Sequence, residues 1–295
     1  MKKKIGLVLG GGGAKGAYQV GVLKALKEYK LLKHVDCVSG TSIGALNAMK
    51  VLEKDIDGAI KIWENVTKDV ALSKTSFTSK IRNRSIFSRD GFVKLANDNM
   101  NFDKISKSKI DCYIIAAPLT RKVKDAPTEF KVNGKNKDDI IKYLLASSAI
   151  PIVFEPVVID GIKYMDGGVV NNTPVETLKN KGCNIIFVVP LKETSDAYKY
   201  SDDNTLIIDF VSNTNNQGLK DGTLDFVASR CIERMDIGYK VAKELIQRLI
   251  KERVIGIKWY QKVMVGFKNK FSKEKRKNYY SNTKEYEEVY YGTSR

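Results

Sequence analysis

Histidine is almost missing from this chain: His34 is the only one in 295 residues. The four cysteines, Cys37, Cys112, Cys183 and Cys231, stand far apart and form no C-x-x-C, so the usual zinc spacings are absent and nothing suggests a disulfide framework. Cys37 and Cys112 fall in apolar strand-like runs and are expected to be small buried hydrophobes, in keeping with a reducing, cytoplasmic setting. No apolar run reaches the length of a membrane span. The start, "MKKKIGLVLGGGGAKG", has the basic opening of a secretion signal, but its apolar stretch is short and ends in four glycines. It reads as a first buried strand. Internal repeats are absent, and no linker divides the chain before about residue 250.

What is present is charge of one sign. Lysine and arginine number 51 against 34 acidic residues, a formal net charge of +17. Residues 251–277 alone hold ten basic and two acidic side chains. Such a field attracts a polyanion, either an anionic membrane surface or nucleic acid. No nucleic-acid motif accompanies it, so nucleic acid is not expected as a partner. The hydrophobic share of 43% and charged share of 29% are those of a globular chain.

The order of elements begins with a strand at "KKIGLVLGG" and a helix from about 16 to 29. A second strand at "HVDCVSG" leads into the helix "IGALNAMKVL", which implies a parallel sheet with helices on its faces. Further on, 55–72 reads as helix and 73–89 as an irregular loop. "DCYIIAAPL" and "TEFKVNGKNK" read as strands, and "KDDIIKYLLASSA" as a helix ending before Pro151. "VVIDGIKYMDGG" reads as a hairpin turning at Asp160-Gly161. Two more strands, "CNIIFVVPL" and "TLIIDFV", precede a helix from about 223 to 253.

Three motifs carry chemistry. Gly40-Thr41-Ser42-Ile43-Gly44 is a G-x-S-x-G between strand and helix, the pattern of a nucleophile elbow, with the Ile43 N–H a candidate oxyanion donor. Residues 11–16 fit G-x-G-x-x-G, but the second strand ends in Ser39-Gly40 rather than in an acidic residue that could hold a ribose. A P-loop is excluded because Lys15 is followed by Gly16-Ala17. What is left is a run of unobstructed amides at a helix N-terminus, which suits a phosphate or a developing oxyanion. Both motifs leave strands at the C-terminal edge of the sheet, where ligands gather in open α/β folds.

The histidine cannot serve Ser42. At the start of the same strand, it lies about 20–25 Å away at roughly 3.3 Å per residue. The base must then be a carboxylate or a lysine. In "YMDGGVVNNTP", Asp166 ends a strand and is followed by Gly167 and Gly168. A plain Asp-Gly turn explains these residues equally well. Buried beside a hydroxyl, though, the carboxylate could act as the base.

Together these stretches resemble the patatin-like phospholipase family, whose glycine loop, G-x-S-x-G elbow and D-G-G/A motif occur in this order. The likeness runs through roughly residues 4–244. It implies a three-layer α/β/α sandwich with a mostly parallel central sheet. It also implies a Ser42–Asp166 dyad cleaving a phospholipid or related lipid ester through an acyl-enzyme. The amides of Gly11, Gly12, Gly13 and Ala14 would hold the oxyanion, and Lys15 conforms to a family position occupied by Arg or Lys. Gly16, Gly40, Gly44, Gly167 and Gly168 complete the motifs. No metal or organic cofactor is implied, and the alternative, a catalytically silent lipid-binding relative, is one the intact motifs argue against.

Residues 1–250 are accordingly expected to form the acyl hydrolase domain and 251–295 a basic, aromatic, helical extension. In that extension Trp259, Tyr260, Phe267 and Phe271 mix with Lys258, Lys262, Lys268 and Lys270. A basic amphipathic helix lying on an anionic membrane fits this mixture, and so does a C-terminal helix with a solvated basic face. Peripheral attachment to a membrane follows only from the first.

Overall fold

The computed structural model describes residues 3–67, 73–74, 87–88, 90–119, 126–212, 218–252, 254 and 279–280. Strands β1 (Ile5–Leu9) and β2 (Cys37–Thr41) are linked by helix α1 (Gly16–Glu28), and β2 runs straight into α2 (Ile43–Glu53). Then follow α3 (Ile56–Asn65), α4 (Asp90–Asn99), α5 (Phe102–Ser106), β3 (Asp111–Pro118), β4 (Thr128–Lys131) and α6 (Lys137–Ser147). A hairpin of β5 (Val157–Ile159) and β6 (Ile162–Asp166), helix α7 (Val175–Asn180), β7 (Ile185–Val189), β8 (Leu206–Asp209) and α8 (Ala228–Lys251) come next. A last short strand, β9, is Tyr279–Tyr280.

The nine strands form one sheet in the order β9-β8-β7-β1-β2-β3-β6-β5, with β4 also paired to β3. From β9 to β3 every pairing is parallel, while β4, β5 and β6 add antiparallel pairs. Alternation along the strands separates two cores. Ile5, Leu7 and Leu9 of β1, with Ile185, Phe187 and Val189 of β7, face the larger one, which includes residues of α1, α2, α6 and α8. Val8, Ile186 and Val188 face a smaller one with Val175 and Leu178 of α7. The result is the expected three-layer α/β/α sandwich with a mostly parallel sheet, one helical layer thicker than the other. Cys37 and Cys112 are buried, as their apolar surroundings foretold.

Two helices are shorter than their sequence pattern. Asp55 caps α3 by accepting the Gly58 N–H at 2.9 Å, but Val66 turns extended and packs inward, ending the helix. The segment before α8 is held out of the helix by Arg234, whose guanidinium takes the carbonyls of Asp221 and Asp225 and the Asp225 carboxylate. Residues 73–74 and 87–88 form a small antiparallel ribbon. The remainder of the loop read over 73–89, and the helical extension read beyond residue 254 apart from β9, lie outside the described residues.

Candidate active site

Ser42 sits where β2 becomes α2. Thr41 still pairs with Ile115 of β3, and Ser42 then takes φ 55° and ψ −123°, an unusual backbone for a residue with a side chain. Such a conformation costs of order 1–3 kcal/mol and persists only where its surroundings hold it. Here the Ser42 N–H donates to Ser147 Oγ at 2.8 Å, and the Ser147 hydroxyl donates to the Ile115 carbonyl at 2.5 Å. Gly44 lies so close to the carbonyls of Leu9 and Gly10 that a Cβ there would overlap them. Gly40 is pressed in the same way against the backbone of Gly44 and Ala45. Helix α2 thus starts directly at Ser42, turning the positive end of its dipole toward the hydroxyl.

Asp166 reaches the same place from another direction. It ends β6 opposite Ala116, the residue of β3 after the partner of Thr41. Its N–H donates to the Ala149 carbonyl at 2.9 Å, and its carboxylate accepts the Gly168 N–H at 2.7 Å and faces the Ser42 hydroxyl across the same cavity. Burial pushes the Asp166 pKa above the ordinary carboxylate value, against a lowering by the nearby Ser42 hydroxyl and the Gly168 N–H. Gly167 packs on the Ile115 carbonyl, where no Cβ would fit.

The glycine loop leaves β1 and borders Ser42. Gly11 is an exception to the oxyanion set read from sequence: its N–H donates to the Asn172 carbonyl at 3.1 Å and is not free. The Asn172 side-chain amide in turn donates to the Gly11 carbonyl at 3.1 Å. This fixes the Gly11–Gly12 peptide and leaves the Gly12 N–H without a partner among the described residues. Gly13 (φ 56°) and Ala14 open a single 3-10 turn that merges with α1 at Gly16. Their amides belong to the first turn, where helix N–H groups have no partner within the helix. Ile43 holds the equivalent place in α2. Behind the loop runs a buried polar chain. Gln19 donates to the Gly10 and Val189 carbonyls, Asn47 to Gly16 O and Gln19 Oε1, and the Trp63 indole to Asn47 Oδ1.

A cavity of about 320 Å³ opens over these groups, lined by Ser42, Asp166, Gly11–Gly13 and Lys15, with Ile150, Pro151, Val169 and Leu191 among its apolar walls. Lys15 is buried, and its pKa is lowered first by burial and then by the nearby Arg234 and Lys192. His34 lies in a 3-10 turn before β2, at the far end of that strand from Ser42. Sequence reasoning missed Ser147, Asn172 and the Gln19–Asn47–Trp63 chain. Gln19 left a trace as a polar residue in the otherwise apolar first half of α1. Ser147 and Asn172 left none beyond being near other motifs.

The family model for patatin-like phospholipases matches residues 7–179. The chain belongs to the patatin-like phospholipase family. Among curated family relatives, "Neuropathy target esterase sws" of Drosophila melanogaster is 32% identical over 205 residues, 68% of this chain and 14% of that protein. "Lysophospholipase NTE1" of Kluyveromyces lactis is 30% identical over 204 residues, 65% of this chain and 13% of that one. "Patatin-like phospholipase domain-containing protein 7" of Rattus norvegicus is 29% identical, with 67% and 14% covered. The patatin-like chain thus spans about a seventh of these relatives. The solved structure of VipD from Legionella pneumophila aligns at TM-score 0.46 and 15% identity, over 82% of this chain and 66% of that one.

Proposed function

We infer that this protein is a serine acyl hydrolase of phospholipids, with Ser42 as nucleophile and Asp166 as the sole base. The observation that carries this reading is the Ser42 hydroxyl set beside the buried Asp166 carboxylate, both lining one cavity bordered by helix N-termini. Ser42 Oγ attacks the ester carbonyl carbon as its proton passes to Asp166. The carbonyl oxygen becomes an oxyanion, held by the amides of Gly12, Gly13, Ala14 and Ile43. Collapse breaks the acyl–oxygen bond, and the leaving alcohol takes the proton from Asp166, giving an acyl-Ser42 ester. Water then attacks that ester with Asp166 again accepting a proton. The fatty acid leaves and the serine is restored. A carboxylate with a raised pKa is a better base than one in water.

The cavity is at the small end of the range for ligand pockets. It has room for the reacting ester and the near part of one acyl chain, not for two chains. The Kluyveromyces lactis relative carries the name lysophospholipase, so single-chain phospholipids are the first substrates to test. In this reading residues 1–250 do the chemistry. The basic 251–295 extension strengthens peripheral attachment to anionic membrane from the cytoplasmic side, and no cofactor takes part.

The test is turnover of lysophosphatidylcholine and of a soluble short-chain ester by wild type, Ser42→Ala and Asp166→Asn. Both variants should lose at least about a thousandfold in kcat while keeping the wild-type Tm. A fluorophosphonate should label wild type and not Ser42→Ala. Asp166→Asn with near-normal turnover would remove the dyad.

A further inference from the structure

Ile152 contradicts the economy of the rest of the chain. It is 80% exposed, and its φ is 71°. A β-branched residue in the left-handed region is a genuine outlier, and glycine or asparagine would sit there with less strain. Its side chain is mostly outside the core, so packing does not account for either feature. It follows Pro151, which lines the catalytic cavity.

Val169 also lines the cavity and is 60% exposed, and Val170 beside it in the chain is 38% exposed. Both follow the Asp166-Gly167-Gly168 turn, so their positions are tied to the catalytic carboxylate. Small and open, the cavity cannot enclose a whole phospholipid. The part of the substrate not reacting stays outside, at the edge these side chains form.

We propose that Ile152, Val169 and Val170 are the lipid-docking rim of the catalytic mouth, inserting into the apolar zone of a phospholipid surface so that one ester slides into the cavity without crossing water. This rests on the reading of Ser42 and Asp166 as a lipid acyl hydrolase. Unlike the basic extension, the rim works by apolar burial and needs no anionic lipid. An isoleucine moved from water into lipid contributes enough to change partitioning on the order of tenfold.

The experiment measures three quantities for wild type, Ile152→Asn and Ile152→Asn/Val170→Thr: Tm, turnover of a soluble short-chain ester, and activity on vesicles of neutral phosphatidylcholine and on lysophosphatidylcholine micelles. Binding to the same vesicles is followed by flotation in a Ser42→Ala background. The rim requires Ile152→Asn to hold or raise Tm, leave soluble-ester turnover intact, and weaken neutral-vesicle binding and hydrolysis about tenfold, with a further loss in the double variant. Unchanged vesicle binding with normal soluble-ester turnover overturns the rim and leaves the hydrolase reading standing. A lowered Tm overturns it as well, because Ile152 would then be packed against another part of this chain. Failure of wild type on every ester tells against the hydrolase reading instead.

Discussion

Two buried carboxyl groups in this protein are both pushed up by burial but differ in the hydrogen bonds that relieve them. Asp166 is buried but relieved by hydrogen bonds. Asp209, at the end of β8, is fully buried, and neither of its oxygens has a partner within good hydrogen-bond geometry among the described residues. Burial raises its pKa to about 7, with only a smaller lowering from the Ser195 hydroxyl. Unfolded, this carboxyl ionises near its ordinary value; folded, it holds its proton to about pH 7. The folded state therefore binds more protons across that interval, and stability falls as pH rises through it, by about 4 kcal/mol in total. Denaturant unfolding of wild type and Asp209→Asn at pH 4 to 8 should show a falling curve only in wild type. Parallel curves would mean that Asp209 is relieved in solution. Ser147 carries a second expectation. Ser147→Ala leaves the Ser42 N–H buried and unpaired, which costs about 1–3 kcal/mol, so kcat should drop at least tenfold at nearly constant KM. A KM rise with constant kcat would place Ser147 in substrate binding instead. At this scale Ser42 and Asp166 were visible in the sequence because strand ends and glycine neighbours mark them. The donor set was less so: whether the Gly11 amide is free depends on Asn172, 161 residues away.

Between elements, α1 and α8 approach each other very closely. Gly21 of α1 lies against the backbone of Met235 and Tyr239, and Gly238 of α8 against the Tyr18 carbonyl, with no space for a Cβ at either. The helices meet backbone to backbone, and Tyr18, held between them, sends its hydroxyl to the Phe210 carbonyl at 2.8 Å. Gly238→Ala must part them, for a loss of about 1–3 kcal/mol or more, seen as a lowered Tm. A Tm within a degree of wild type would show that α8 shifts freely on α1. The strands and most helices were legible from alternation and helical spacing, because one buried face per element leaves that imprint. The ends of α3 and α8 were not, since Val66 and Arg234 act through tertiary contacts that periodicity does not encode. The antiparallel placement of β6 beside β3, which brings Asp166 to Ser42, also lay beyond local pattern.

For the whole molecule, the proposed lipid docking divides its work between charge and apolar contact. No helix among the described residues is long and apolar enough to cross a membrane. The net charge of +17 acts at longer range than the three side chains at the mouth, but salt screens it, with a Debye length of about 10 Å at 0.1 M. Replacing Lys268, Lys270, Lys273 and Lys275 by Gln should weaken binding to vesicles rich in anionic lipid at low salt. It should leave neutral vesicles and soluble-ester turnover unaffected. Equal loss on neutral vesicles would mean that these lysines do more than attract charge.

The double tie between Gly11 and Asn172 has one more consequence. It joins the loop after β1 to the turn after Asp166, so neither side of the site can loosen alone. The Gly11 amide hydrogen, locked in that tie, becomes a clock: its exchange with deuterium counts how often the assembled centre comes apart. Compared between protein in water and protein on a lipid surface, that rate tells whether the surface merely delivers substrate or also tightens the catalyst.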